Sequence, residues 1–578
     1  MKINKFIKGV ALASCGLILT GCASDYLDTP SHGTIPAEEI ASTTEYARMG
    51  VLGVCGRGMA APWGTNIFPA QALMQGETGI SYYYGEIPGS DNFVNFIYKE
   101  APSWAIYYNM QEGYLSSGDY VWSTPMWVYC YAMIAQLNDI LDGIDASAGT
   151  DAERNFTKGQ ALTLRAHLYF RLLQVYAPRW EDSNNGEKLT VVLRDTAKLP
   201  DSLPVSTMNE ILALIYSDLD TAIECFENAG TYKRQYNFEP TLNVAYGVYA
   251  RTAALKHDWE KCRTMAHNAR QGYQIASSAD IFNGYLQFNE KEWMWAPSFA
   301  EIDNFIYGNW CTFFACNGYA AVNQCYTNRI NIDLYRQIPA TDERRNWFLT
   351  QDKLTGTAPM MVYHSIGVNP ANQQFILNAL IEASRTWLDS RKPALCNAGL
   401  NAYAGTGSGD QATALMCDGA QVKFWCNGET GQNGTCQVPY MRATEMYLYE
   451  AEACAELGMT GEAQALLNEV NKPRNPQYNC TASGNDLINE VRLYRRIELW
   501  GEGFNWFDLK RWNVNMTRRA WVELDMTSGN VPAGIACDVP TSANNGWRFG
   551  IPVSERNRNT NIVDPIPGEL INIPDPVE

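Results

Sequence analysis

Histidine is scarce in this chain, five among 578 residues, and neither H-E-x-x-H nor G-x-S-x-G occurs. Those spacings carry zinc-protease and serine-hydrolase chemistry, so two common hydrolase signatures are excluded. The sixteen cysteines contain no C-x-x-C. Cys311, Cys316 and Cys325 lack a histidine nearby in sequence, as do Cys417, Cys426 and Cys436. Zinc thus finds no ligand set at a usable spacing, and no metal or cofactor is expected. Cysteine is also too dilute for a disulfide scaffold. Buried free thiols are expected at Cys225, Cys262 and Cys454, which sit in apolar helical patterns.

Other shortages narrow the class further. Beyond the N-terminal segment, no stretch reaches the ~20 apolar residues of a membrane-spanning helix. Lys and Arg number 44 against 62 Asp and Glu, a formal charge of −18, which argues against nucleic acid as a partner. The Gly-rich stretches GVCGRG and AGTGSGD lack the strand–loop–helix context of a phosphate cradle and read as flexible loops. Carboxylate pairs such as Glu301 and Asp303 could be drawn anywhere. A glycosidase needs two at a set separation, which sequence does not supply. No catalytic residue is expected, and the chain reads as a non-enzyme.

What is present begins at the N terminus. Lys2, Lys5 and Lys8 precede an apolar run from Val10 to Leu19, as in an export signal. As a helix that run would reach only ~15 Å, against a hydrocarbon core of ~30 Å. Leu19-Thr20-Gly21-Cys22 resembles the bacterial lipobox, in which the cysteine thiol receives the lipid and the cysteine becomes the acylated first residue after cleavage. Residues 1–21 are read as a lipoprotein signal peptide, 22–40 as a lipidated tether, and 41–578 as a single domain.

Residues 50–125 are rich in Gly and aromatics and read as long loops with short elements. Helical periodicity then becomes strong over Trp127 to Leu141, Glu153 to Tyr176 and Met208 to Phe226. Two later stretches match at an offset of 201: Ala250 and Ala254 with Ala451 and Ala455, His257 with Gly458, and Cys262, Met265 and Ala269 with Ala463, Leu466 and Val470. Each reads as a helical hairpin with small residues where two helices approach, in the tetratricopeptide style. The expected fold is mainly α, a scaffold of tetratricopeptide-like hairpins over about 126–275 and 436–512. A large, irregular, loop-rich insertion with short strands, about 280–435, interrupts it.

RRIELWGEGFNWFDLKRW at 495–512 resembles the C-terminal signature of the SusD/RagB family of outer-membrane nutrient-binding lipoproteins. VPYMRATEMYLYEAEACAELG, KGQALTLRAHLYFRLLQVYA, LYRQIPATDERR and IPVSERNRN resemble further family stretches in the expected order. Read by its chemistry, the signature is structural. Leu487, Val491, Tyr494 and Ile497 form an apolar helical stripe. Arg495, Arg496, Glu498, Glu502, Asp508 and Arg511 can pair, and Gly501 and Gly503 can turn the chain.

The resemblance implies a surface-exposed lipoprotein, held in the outer membrane through Cys22. It would capture oligosaccharides and deliver them to a SusC-like TonB-dependent transporter. RagB-like peptide capture is the alternative, and a surface glycoside hydrolase a more distant one. Sugar rings stack their C–H faces on rigid aromatic side chains. The resemblance places such residues in two regions, before the first long helices and in the insertion. The candidate platform is Tyr84, Trp104, Tyr107, Tyr307, Trp310 and Phe313. Trp293 and Trp295 are expected in a buried strand instead.

Overall fold

The protein's computed structural model describes residues 39–58, 76–95, 123–282, 285, 288–297, 314–315, 327–349, 419–424, 436, 438–518 and 537–562. The fold is mainly helical. Its helices are α1 (Thr44–Leu52), α2 (Ser123–Leu141), α3 (Asp151–Tyr176), α4 (Met208–Asn228), α5 (Leu242–Lys256), α6 (Trp259–Ala269), α7 (Ala443–Glu456), α8 (Thr460–Asn471), α9 (Gly484–Glu498) and α10 (Asn505–Arg511), with shorter turns between.

Local sequence sets the helix starts. Thr150 and Glu153 form a reciprocal capping box that opens α3, and Thr207 with Glu210 does the same for α4. Each satisfies N–H groups that the first turn would otherwise leave unpaired. The apolar stripe of α4 places Ile211, Ile215 and Leu219 in the core, with Leu214 and Ile223 packed at its margin. The predicted stripe of α9 is likewise inside: Leu487, Val491, Tyr494 and Ile497 are all buried.

Each helix from α2 to α8 packs on its successor in the chain. The succession passes directly from α6 to α7 although the long insertion separates them in sequence. Small residues permit this. Ala245, Ala250, Ala253 and Ala254 on α5 and Ala451 and Ala453 on α7 are fully buried. A Cβ placed on Gly247 would come within 2.2 Å of Met441 Sδ. Arg251 of α5 clamps Glu445 of α7 through two 2.7 Å bonds in this buried interface. Cys225, Cys262 and Cys454 are buried free thiols. The two hairpins, α5–α6 and α7–α8, turn at equivalent points. His257 has φ 58° and Gly458 φ 74°, both left-handed.

Strands are short. β1 (Asn92–Asn95), β5 (Thr327–Ile330), β7 (Ala420–Gln421) and β6 (Phe348–Leu349) form one antiparallel sheet in that spatial order. β2 (Leu189–Val192) pairs with β3 (Val205–Thr207). β4 (Trp293–Trp295) pairs with β8 (Met441–Arg442), and β9 (Met516–Arg518) with β10 (Cys537–Val539). Trp293 and Trp295 on β4 are buried, as predicted.

One reading is corrected. GVCGRG, expected as a flexible loop, continues α1 as a π-helical turn over Gly53–Gly58. Phe238 packs against this turn: a Cβ on Gly56 would lie 3.2 Å from its ring. The glycine admits close packing there. AGTGSGD lies outside the described residues.

Candidate functional site

The β1–β5 pair organises the region in which sequence places ligand contacts. Asn92 stands opposite Ile330 and Asn95 opposite Thr327. β1 runs into the segment that holds Trp104 and Tyr107, and β5 follows the segment that holds Tyr307, Trp310 and Phe313. The pairing brings flanks of the two aromatic-rich stretches side by side. Asn92 Nδ2 donates to Asn328 Oδ1 across the pair at 2.9 Å.

Trp104, Tyr107, Tyr307, Trp310 and Phe313 lie outside the described residues, as does Cys22. Tyr84 is described, and it is fully buried. It sits on a π-helical turn, Ile80–Glu86, with its ring centroid 5.8 Å from that of Phe549. Tyr82 and Tyr83 on the same turn are buried too. The ring therefore offers no face to a ligand, contrary to the expectation for Tyr84. The turn points its aromatics into the core, where Tyr82 meets Phe314 edge-on at 5.6 Å and Phe314 meets Trp500 at 5.7 Å. These contacts lock the segment before β1, the insertion and the C-terminal signature into one aromatic cluster.

Below the sheet, the C-terminal signature holds the chain that feeds β1. Arg496 Nε donates to Asp91 Oδ2 at 2.9 Å, and Trp500 Nε1 donates to the Asp91 carbonyl at 2.9 Å. Asn505 Oδ1 accepts from the N–H groups of Ser90 (2.7 Å) and Asp91 (3.2 Å). Arg518 on β9 donates to the carbonyls of Ile87 and Gly89. Asn331, just after β5, donates from Nδ2 to the Ser90 carbonyl at 2.8 Å. Asp91 and Asn505 were missed in sequence. The polar run Gly89-Ser90-Asp91-Asn92 ahead of a strand was the available signal, since such residues bond backbone in turns.

Deeper still lies a network of buried charge. Glu498 takes contacts from Arg344 (3.1 Å), Arg442 (3.2 Å) and Arg474 (3.1 Å). Burial alone would raise the Glu498 carboxyl, but these three guanidinium groups outweigh it and hold it well below the usual range. Glu502 pairs with Lys423 and Arg442, each at 2.7 Å. Burial drives Lys423 down to about 8 despite that partner. Arg511 reaches Glu452 and Asp508, and Glu452 is held down at about 2, burial being outweighed chiefly by Arg511. Each charge has a partner at hydrogen-bond range, so the network fixes the turn at Gly501 (φ 80°) and Gly503 (φ 92°) and leaves little chemistry to spare.

Beside this network a cleft open to solvent lies between α3, α5 and α10. Its cations serve the scaffold. Arg251 holds Glu445, Arg511 holds Glu452, and Lys510 Nζ donates to the Gln174 and Ala177 carbonyls at the end of α3. Among the described residues no group of three His, Cys, Asp or Glu could hold a metal ion, and no helix is long and apolar enough to cross a membrane.

Comparison with known proteins follows this geometry. The family model described as "SusD family" matches residues 409–568, and the one described as "Starch-binding associating with outer membrane" matches residues 70–253. No curated protein matches the chain. The chain is similar to the crystal structure of a SusD-like carbohydrate-binding protein from Bacteroides vulgatus, at 21% identity and a TM-score of 0.67, over 90% of this chain and 97% of that one. A putative sugar-binding protein from Bacteroides vulgatus matches at 17% identity and a TM-score of 0.66, over 91% and 99%. A SusD superfamily protein from Bacteroides thetaiotaomicron matches at 18% identity and a TM-score of 0.62, over 91% and 100%. At such identities the likeness establishes a shared fold, and it runs almost end to end. With the two family models matching separate parts of it, the chain belongs to the SusD family.

Proposed function

We propose that this protein is a cell-surface lipoprotein that captures oligosaccharides without chemistry and delivers them to a SusC-like TonB-dependent transporter in the outer membrane. The observation that carries the reading is the β1–β5 pairing, which sets flanks of two aromatic-rich segments side by side on a stiff helical scaffold. Family membership supports glycan as the cargo, since one matching family is described as starch-binding, and a structural relative is described as carbohydrate binding. A stacking site needs rigid support more than it needs reactive groups. The buried charge network and the aromatic cluster supply that support.

Trp104, Tyr107, Tyr307, Trp310 and Phe313 are the side chains proposed to stack on sugar, and Cys22 the lipid attachment point. Titration calorimetry of the mature chain against maltoheptaose, cellohexaose, xylohexaose and mannohexaose tests the reading. At least one oligosaccharide is expected to bind. Trp310→Ala is expected to weaken the tightest of them by at least roughly tenfold, with unfolding temperature unchanged. No heat from any member of the panel, or sugar cleavage during incubation, would count against capture as the function.

A further inference from the structure

The loop between α4 and α5 carries an aromatic side chain placed unlike the others. Of the described aromatic residues, Tyr236 is the most open to solvent, at 49%. Its ring lies parallel to that of Phe238, with centroids 5.0 Å apart and an interplanar angle of 7°. Phe238 in turn packs on the core and against the Gly53–Gly58 turn. An exposed ring backed by a second, anchored ring has one supported face and little freedom to collapse.

The loop backbone is fixed from beneath. Glu239 is fully buried, and its Oε1 accepts from the N–H groups of Gln235 (2.7 Å) and Tyr236 (2.9 Å). Its Oε2 takes Arg48 and Gln160 at 3.0 Å each. Trp295 Nε1 donates to the Phe238 carbonyl at 2.7 Å, and Ala296 N–H to the Asn237 carbonyl at 3.2 Å. These bonds hold Tyr236 outward, with the exposed amides Gln235 and Asn237 as its chain neighbours. Burying an aromatic ring is favourable, so leaving one half open on a rigid loop forgoes that gain. The scaffold spends several buried hydrogen bonds on keeping it there.

We infer that Tyr236, backed by Phe238, is a stacking platform for a pyranose ring, with Gln235 and Asn237 placed to hydrogen-bond the sugar's hydroxyls. The apolar C–H face of a hexose matches a flat ring, and amides supply both donors and acceptors to its edge. This inference rests on the glycan-capture reading and adds a contact point outside the residues assigned there.

The test uses the mature chain and the same four oligosaccharides. Tyr236→Ala is expected to weaken the tightest of them roughly three- to tenfold, while Tyr236→Phe, which keeps the ring, stays within roughly twofold. Both variants should melt as the parent does, because the side chain is half exposed. Nitration with tetranitromethane, mapped by peptide mass spectrometry, gives an independent readout: Tyr236 should react in the free protein and be protected by bound sugar. If the parent binds a glycan and Tyr236→Ala binds it equally, or nitration of Tyr236 is the same with sugar present, the platform is wrong and the capture reading stands. If the parent binds none of the four, both fall together.

Discussion

Glu86 shows what one side chain contributes beneath the sheet. It is buried, and its Oε1 accepts from the N–H groups of Gly503 (2.7 Å) and Phe504 (3.2 Å). Its other oxygen has no partner among the described residues. Burial pushes its carboxyl up to about 8, Asp91 adding to the rise and Lys423 opposing it. The folded protein thus keeps a proton that the unfolded chain releases above about 4.5. Below that pH both states hold the proton and nothing is lost. From there to about 8 the unfolded state binds fewer protons, so stability falls as pH rises. Glu86→Gln keeps an acceptor for the two N–H groups and cannot ionise. Its advantage over the parent should grow from pH 5 to 8, by up to roughly 1.4 kcal/mol per pH unit, then level off. Urea melts of both proteins across that range measure it. Curves that stay parallel would mean Glu86 is solvated or charged in the folded state.

Among the elements, the second hairpin allows a test of its left-handed turn. Gly458 ends α7 with φ 74°, and a Cβ there would meet nothing within 4 Å. Gly458→Ala therefore isolates the cost of a left-handed backbone, about 1 kcal/mol of lost stability. Gly461, in the first turn of α8, also faces open space but has ordinary helical geometry. Gly461→Ala should stabilise by up to ~1 kcal/mol. Opposite signs in denaturant melts support the turn assignment, and equal effects would refute it. The turn was legible in sequence because His257 and Gly458 occupy matching places in the offset of 201. Helices were legible for a similar reason, since period and small residues are local signals. The π-helical turns at Gly53–Gly58 and Ile80–Glu86 were not, because Gly-rich and Tyr-rich runs look the same in a loop. Nor was the partner of Arg496, since Asp91 lies 405 positions away and no local pattern links them. In the candidate site, aromatic density could not sort buried rings from open ones. Tyr84 stands in a dense aromatic run and is buried, whereas Tyr236, in Gln235-Tyr236-Asn237-Phe238, a ring pair with amides before a proline, is half open.

For the whole molecule, the question is why a binding protein with this fold would be tethered at all. Free in solution, a captured oligosaccharide is diluted by diffusion of its carrier. A lipid on Cys22 would confine the carrier to the membrane plane, where the 22–40 segment can reach at most about 65 Å. Within that reach the effective concentration of carrier at a transporter rises to roughly the millimolar range, with no new contact in the binding site. Affinity for sugar and delivery of sugar are then separable properties. Cys22→Ala should move the protein from the membrane fraction to the soluble fraction, because stable anchoring needs the acyl chains. The soluble variant should bind the panel's tightest oligosaccharide as the parent does, while cells carrying it take up that sugar more slowly. Fractionation, calorimetry and labelled-sugar uptake on one strain pair report the three quantities. Membrane retention undiminished by Cys22→Ala would locate the attachment in protein contacts and remove the lipid from the mechanism. A parallel loss of affinity would tie capture to the anchor and contradict the independence of scaffold and tether argued here.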